Sequence, residues 1–504
     1  MCKIGILFEN REFEHDVYEL IKAFYPEAEI HTLYEDDEAE YDLRFCVERD
    51  NENYFIKYDR KENPEIKETE IKGVASAEVI TDSAVKDPHA LRKENKDSIK
   101  YALYQLLVKL TGRTLPWGNL TGIRPAKLAM GMIESGMKNT EAAQEMREKY
   151  MVSPQKTALA ITIANREREI LKDIDYENGY SLYIGIPFCP SICLYCSFSS
   201  YPLKVWEKRS DEYVEALCKE VRETALMMKG RKLDTIYIGG GTPTTLLPHQ
   251  IRKLLDTVGE AFGYEGLAEF TVEAGRPDSI TREKLEVIRK YPVTRISVNP
   301  QTMQQKTLDL VGRKHTVEDV EQIFHLAREL GFDNINMDLI AGLPGEDAAD
   351  MQDTLEKIEK LHPDSLTVHA LAIKRAAKFG QEGRTMDPGT EITQMVEAAA
   401  ASAERMGLVP YYLYRQKNIA GNFENVGYAE KDKAGVYNIL IMEERQTIIA
   451  CGAGSTTKLV LPEKIKISSG KETNLIRVEN VKNITEYIDR IDEMIERKKA
   501  LFEK

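Results

Sequence analysis

Long hydrophobic runs are missing from this 504-residue chain. No apolar stretch is long enough to span a bilayer, so no membrane-spanning helix is expected. A basic excess is missing too: 69 Lys and Arg face 83 Asp and Glu, for a formal net charge of −14. That balance disfavours non-specific nucleic-acid binding, which draws on basic surface, but leaves room for a local basic pocket around a small anion. The first residues, Met1 to Asp16, lack the pattern of a secretory leader, because their apolar run is short and acidic residues follow. A cytoplasmic location is expected. Repeat arrays and low-complexity tracts are also missing. Cysteine is scarce, with seven residues in all. Cys2, Cys46, Cys218 and Cys451 are scattered, as reduced core cysteines usually are. The other three crowd together between positions 189 and 196 and need another explanation.

What is present is a globular balance, with 42% hydrophobic and 30% charged residues, in a chain too long for one core. Residues 1–85 read as a small α+β module: strand Lys3 to Phe8, helix Glu14 to Phe24, and a hairpin turning at Asp50 to Asn53. Residues 86–175 read as helical. Within them, Leu115 to Pro125 (Leu-Pro-Trp-Gly-Asn-Leu-Thr-Gly-Ile-Arg-Pro) is a connection around a packed Trp117, or a place where Arg124 meets substrate or partner.

From residue 176 the rhythm becomes strand–helix alternation. Strands are expected near Ser181–Ile186, Thr235–Ile238, Glu269–Glu273, Thr294–Val298, Asn334–Leu339 and Ser365–Ala370. Helices are expected between them at Ser210–Met227, Pro248–Phe262, Ile280–Lys290, Val317–Leu330 and Met351–Leu361. Six βα units predict an α/β fold with a parallel sheet curled into a partial (β/α)6 barrel over 176–385. Residues 386–504 are expected to form an α+β lid. It would hold a helix near Ile392–Met406, strands near Val436–Ile441 and Thr447–Cys451, and a terminal helix near Ile484–Phe502.

The crowded cysteines, Cys189, Cys193 and Cys196, form a C-x3-C-x2-C loop directly after the first barrel strand. Soft thiolates suit iron–sulfur clusters or zinc. A closed zinc site wants four ligands and no second cysteine pair exists. A 4Fe–4S cluster on three thiolates leaves one iron open to a cofactor. Barrel chemistry sits at the C-terminal ends of strands, which is where this loop begins.

The other strand ends carry candidates. Gly239-Gly240-Gly241-Thr242-Pro243-Thr244 follows the second strand and lets backbone approach a ligand, although without a Lys-Ser/Thr pair it is no P-loop. Glu273 ends the third strand, as a solvated strand-end acid or as an acceptor for ribose hydroxyls. Gln301 follows the fourth. Arg313 offers a fork for a carboxylate. Asp338 lies in an apolar fifth strand and must be paired or functional. Ala372 follows the sixth.

The cysteine loop resembles that of the radical S-adenosylmethionine (SAM) superfamily. Tyr183, Ile-Pro-Phe-Cys, Gly-Gly-Gly-Thr-Pro-Thr, Gln301, Arg313 and the run Asp338 to Gly345 (Asp-Leu-Ile-Ala-Gly-Leu-Pro-Gly) narrow the resemblance to the oxygen-independent coproporphyrinogen III oxidase family. The Leu115 to Pro125 segment and Tyr412 to Asn418 resemble its HemZ-type branch. The resemblance implies a radical SAM barrel, a 4Fe–4S cluster on Cys189, Cys193 and Cys196, and one or two SAM molecules. Tyr183, Gly240 and Glu273 match contacts to the first. Tyr195, Gly241, Thr242, Gln301, Arg313, Asp338 and Ala372 match positions associated with a second. It also implies a tetrapyrrole substrate, an electron donor such as a flavodoxin or ferredoxin, and decarboxylation of two propionates to vinyls.

Two positions depart from the family pattern. Gly185 stands where the best-characterised pattern has His, and Phe198 stands where it has a fourth Cys. Phenylalanine at the second position is the pattern of a heme-chaperone branch. The His-Asn-x-x-Tyr-Trp motif of that branch has no counterpart in Gly421 to Tyr428. A heme-transfer protein and a radical SAM enzyme with another substrate are the alternative readings.

Overall fold

The computed structural model describes residues 2–9, 11–34, 39–50, 53–60, 71–78, 88–122, 124–372, 377–381, 390–415, 423–466 and 472–502. The chain forms two compact units. One comprises Met1–Ala164, Thr385–Thr390 and Tyr414–Glu424; the other comprises Asn165–Arg384, Glu391–Leu413 and Asn425–Lys504. Among the described residues, no helix is long and apolar enough to cross a membrane.

In the first unit a five-stranded sheet runs in the order Glu29–Leu33, Lys3–Phe8, Leu43–Asp50, Asn53–Arg60, Ile71–Glu78. The expected hairpin is present, with Asp50 opposite Asn53; its tip, 51–52, lies outside the described residues. Helix Glu14–Phe24 buries Val17, Leu20, Ile21 and Phe24, one stripe at helical spacing. The two segments that resemble the HemZ-type branch meet here. Trp117 is fully buried and donates to Glu424 Oε2 at 2.7 Å. Arg415 donates to the Leu120 carbonyl at 2.7 Å. Residues 416–418 of the second segment lie outside the described residues.

The second unit holds the barrel strands: Gly179–Ile186, Lys232–Gly240, Glu269–Gly275, Arg295–Val298, Ile335–Ala341 and Ser365–Ala370. Each pairs in parallel with the next, so spatial order follows chain order. These strands are buried almost throughout and are flanked by helices such as Ser210–Met227 and Pro248–Phe262. All six strand ends that carry candidate residues therefore share one rim.

The segment after residue 390 extends this sheet at both edges. Asn425–Ala429 pairs antiparallel with Ser365–Ala370, and Thr447–Cys451 pairs in parallel with Gly179–Ile186. The strand expected at Val436–Ile441 is instead a helix, Val436–Glu443, entered from Gly435 and ended by a left-handed Glu444. Its residues are nearly all apolar, so neither period shows in the sequence. Among the described residues after 390, four strands were not expected: Val409–Tyr414, Asn425–Ala429, Thr456–Lys466 and Glu472–Glu479. The terminal helix breaks at Arg490 into Ile484–Asp489 and Ile491–Phe502.

Lys498 on the last helix is fully buried and meets Glu220 Oε1 at 2.8 Å. Glu220 also accepts from Gly452 N at 2.8 Å, Asn480 Nδ2 at 2.7 Å and the Tyr487 hydroxyl at 2.6 Å. This network fastens the terminal helices to the edge of the barrel.

Candidate active site

The cysteine loop leaves the first barrel strand and is closed on itself by a short ladder, Phe188 opposite Tyr201 and Cys189 opposite Pro202. Its tip is tied down elsewhere. Ser191 Oγ donates to the Gly312 carbonyl at 2.9 Å, and Leu194 N donates to the Val311 carbonyl at 3.1 Å. A turn inside the loop is closed by Cys196 N, which donates to the Cys193 carbonyl at 3.0 Å.

Each sulfur sits among specific neighbours. Thr242 Oγ1 donates to Cys189 Sγ at 3.6 Å. Arg276 Nη1 and Arg313 Nη1 donate to Cys193 Sγ at 3.7 and 3.8 Å. Burial raises the Cys189 and Cys196 thiols above their ordinary pKa. Iron binds thiolate, so ligation here displaces protons. Among the described residues, no three His, Cys, Asp or Glu side chains gather closely enough to hold one metal ion. The thiols of a 4Fe–4S cluster each bind a different iron and stand farther apart than ligands of a single ion. Three soft donors on one loop, with N–H and O–H groups aimed at their sulfurs, fit such a cluster.

The glycine run seals the second strand against this loop. Gly240 has φ 111°, open to glycine and strained for other residues. A Cβ on Gly241 would lie 2.6 Å from the Phe188 oxygen and 3.0 Å from Cys189 Sγ. The Gly241 and Thr242 amides both donate back, to the Ile186 and Phe188 carbonyls at 2.7 Å.

Glu273 faces the barrel interior and accepts a short hydrogen bond from the Tyr237 hydroxyl. Burial, reinforced by the charge of Asp338, pushes its carboxyl up to about 7, against the opposing pull of Tyr237. Three tyrosine rings lie nearly parallel beside it. Tyr237 and Tyr437 have centroids 4.4 Å apart, and Tyr183 lies 6.2 Å from each. Tyr437 comes from the helix that was expected to be a strand.

Gln301 is left-handed, at φ 72°. It is held there by Gln301 N to the Asp338 carbonyl and Ile340 N to the Gln301 carbonyl, both 2.9 Å. A bulky residue in this region costs roughly 1–2 kcal/mol, strain that gathers at functional sites. The Asp338 carboxylate accepts from Asn336 Nδ2 at 2.7 Å and lies 4.0 Å from His369 Nε2. Arg313 is buried, donating to the Asn299 carbonyl at 2.5 Å and to the Tyr195 hydroxyl at 3.3 Å.

Direct contacts thus join Cys189 to Thr242, and Cys193 to Tyr195 through Arg313. Tyr183 and Glu273 are joined through Tyr237, and Gln301 bonds to Asp338 through backbone. Ala372 lies half-buried just past the sixth strand, at the same rim. Sequence reasoning passed over Tyr237, Tyr437, Arg276, Asp278 and His315. The Gly-Arg-Pro-Asp run after the third strand held a usable signal, a charged pair beside a strand end; Tyr437 carried none.

The family model described as the radical SAM superfamily matches residues 183–358. The oxygen-independent coproporphyrinogen-III oxidase-like protein HemZ of Bacillus subtilis is 41% identical over 424 residues, 82% of this chain and 83% of that one. The heme chaperone HemW of Bacillus subtilis is 34% identical over 256 residues, 50% of this chain and 65% of that one. Among solved structures, coproporphyrinogen III oxidase (HemN) of Escherichia coli aligns with a TM-score of 0.52 at 21% identity, covering 65% of this chain and 72% of that one, a likeness of fold. The chain therefore belongs to the oxygen-independent coproporphyrinogen III oxidase-like family of radical SAM proteins, whose cofactors are a 4Fe–4S cluster and S-adenosylmethionine.

Proposed function

We propose that this protein converts coproporphyrinogen III to protoporphyrinogen IX by oxygen-independent oxidative decarboxylation, with Cys189, Cys193 and Cys196 holding the cluster. A low-potential donor of the flavodoxin or ferredoxin kind would supply its electrons. One observation carries the reading: 41% identity across 83% of a relative named as coproporphyrinogen-III oxidase-like.

When bound, the cluster and SAM supply a one-electron reductive cleavage and the hydrogen-abstracting chemistry that follows from it. The chain's own residues bind and orient. Glu273, steadied by the Tyr237 hydroxyl, is placed to accept from ribose hydroxyls, and the Tyr183–Tyr237–Tyr437 stack offers a flat wall beside it. Gly240 keeps the backbone free of side chain at the rim. Tyr195, Gly241, Thr242, Gln301, Arg313, Asp338 and Ala372 form the second ligand position, for another SAM or for the propionate-bearing substrate. Holding the reacting carbon in place and excluding water is the contribution required of such a site.

A second reading is a heme-transfer protein that keeps the cluster and does no decarboxylation. Phe198 favours it, because this residue is 75% exposed beside the cluster loop and provides no thiol there. The chain's counterpart to the chaperone branch's heme motif counts against it. Residues 421–422 lie outside the described residues. Asn425 to Tyr428 form a fully buried strand whose Asn425 Oδ1 accepts from Ala370 N at 2.9 Å.

The test is anaerobic: reconstituted protein, SAM, a low-potential reductant and coproporphyrinogen III, read by mass spectrometry. Successive loss of carbon dioxide to a divinyl product is expected. Formation of 5′-deoxyadenosine without vinyl product would contradict the proposal. Stoichiometric heme binding with transfer to an apo-acceptor would support the second reading instead.

A further inference from the structure

Two guanidinium groups converge on one buried sulfur. Cys193 Sγ lies 3.7 Å from Arg276 Nη1 and 3.8 Å from Arg313 Nη1, whereas the Cys189 Sγ accepts from the Thr242 hydroxyl at 3.6 Å. Both arginines are buried, Arg276 at 5% and Arg313 at 4% exposure. Arg313 belongs to the second ligand position already described; Arg276 has no role in binding or chemistry so far.

The placement of Arg276 is over-determined. Its Nε and Nη2 grip Asp278 Oδ1 and Oδ2 at 3.0 and 2.7 Å, a bidentate pair that fixes the plane of the fork. The remaining nitrogen, Nη1, donates to the Ser191 carbonyl at 2.7 Å as well as facing Cys193. The local chain explains the aim. Gly275, at φ 70°, turns the backbone at the end of the third strand, and Pro277 opens a short 3-10 turn, Pro277–Ser279. Arg276 and Asp278 are thereby swung to one side, toward the cysteine loop. His315, buried, stands 3.9 Å from Asp278 Oδ1.

We propose that Arg276 sets the reduction potential of the cluster through Cys193, and that Asp278 aims and moderates it. The proposal rests on Cys193 being a cluster ligand. Reduction adds negative charge to a cluster and its sulfurs. An N–H donor and a positive group at a ligand sulfur stabilise the reduced form and raise the potential. Burial keeps solvent and salt from screening the effect. The carboxylate of Asp278 acts in the opposite sense, from farther away. Arg276 is thus a positioning and tuning residue, with no contact to substrate required.

The experiment is a redox titration of reconstituted full-length protein, followed by electron paramagnetic resonance without SAM or substrate. Iron and acid-labile sulfide are measured on every sample. Arg276→Met is expected to lower the potential with iron and sulfide unchanged. Asp278→Asn keeps an acceptor for the guanidinium and removes the negative charge, and is expected to raise it. Opposite signs in the two variants are the signature. A potential unchanged from wild type in Arg276→Met, or a lowered one in Asp278→Asn, would overturn the proposal. If Arg276→Met takes up no iron, Arg276→Gln decides, since it keeps an N–H donor and loses the charge: a lowered potential supports the assignment and an unchanged one overturns it. Cys193→Ser separates the two layers of inference. An unaltered cluster spectrum in that variant removes Cys193 as a ligand, which is a failure of the underlying reading and not of the tuning argument.

Discussion

The stretch from Gly179 to Ala370 and the stretch after residue 390 contribute strands to the same sheet, yet they are built in different ways. The first is a run of βα units, each adding a strand beside the last and delivering its C-terminal end to one rim. The second wraps to both edges, supplying Asn425–Ala429 at one and Thr447–Cys451 at the other. Chemistry-bearing residue types gather at the rim of the first. From the second come a ring, Tyr437, and a buried anchor, Lys498. The division of labour is therefore between a stretch that carries the donors and a stretch that closes and braces them.

The largest effect should come from breaking the brace. Lys498→Met leaves Glu220 buried without its cation, a change that costs about 3–5 kcal/mol in comparable pairs. Denaturant unfolding of the cluster-free protein is expected to show that loss. A variant within 1 kcal/mol of wild type would mean that the terminal helices do not brace the barrel.

A smaller effect belongs to the rim. The folded-state pKa of Glu273 is raised to about 7, so the native chain binds its proton more tightly than the unfolded chain does. Its contribution to stability is present below the unfolded value near 4.5 and is lost as pH rises through about 7. Glu273→Gln should flatten that decline by on the order of 2 kcal/mol, allowing for partial exposure. Melting curves across this range that are superimposable for the two proteins would contradict it.

Smaller still is the backbone strain at Gln301. Gln301→Gly relieves a left-handed conformation and should stabilise the cluster-free protein by roughly 1 kcal/mol, while weakening whatever the side chain binds. A lower melting temperature would show that the amide side chain is structural.

The same comparison explains what the sequence disclosed. In the repeated units, helix and strand periods are clean, and the expected strand Ser365–Ala370 and helices Ser210–Met227 and Pro248–Phe262 are found at those bounds. In the bracing stretch, Val436–Glu443 is apolar on nearly every side, and Thr456–Lys466 is exposed over its second half, so neither presents a period. The site divides likewise. The cysteines, the glycines and Glu273 announce themselves by type and spacing. Tyr237 looks like an ordinary strand residue until Tyr437, far along the chain, stacks on it. Arg276 looks like a surface charge until Gly275 and Pro277 turn it inward to Cys193.

All of this chemistry starts from the cysteine loop as the seat of the cluster. Cys196→Ala, prepared and reconstituted beside wild type without oxygen, tests it through iron content, visible absorbance and 5′-deoxyadenosine formed from SAM under a chemical reductant. The expected result is a folded protein, shown by an unchanged circular dichroism spectrum, with no cluster absorbance and no SAM cleavage. A variant that keeps both would contradict the three-thiolate site.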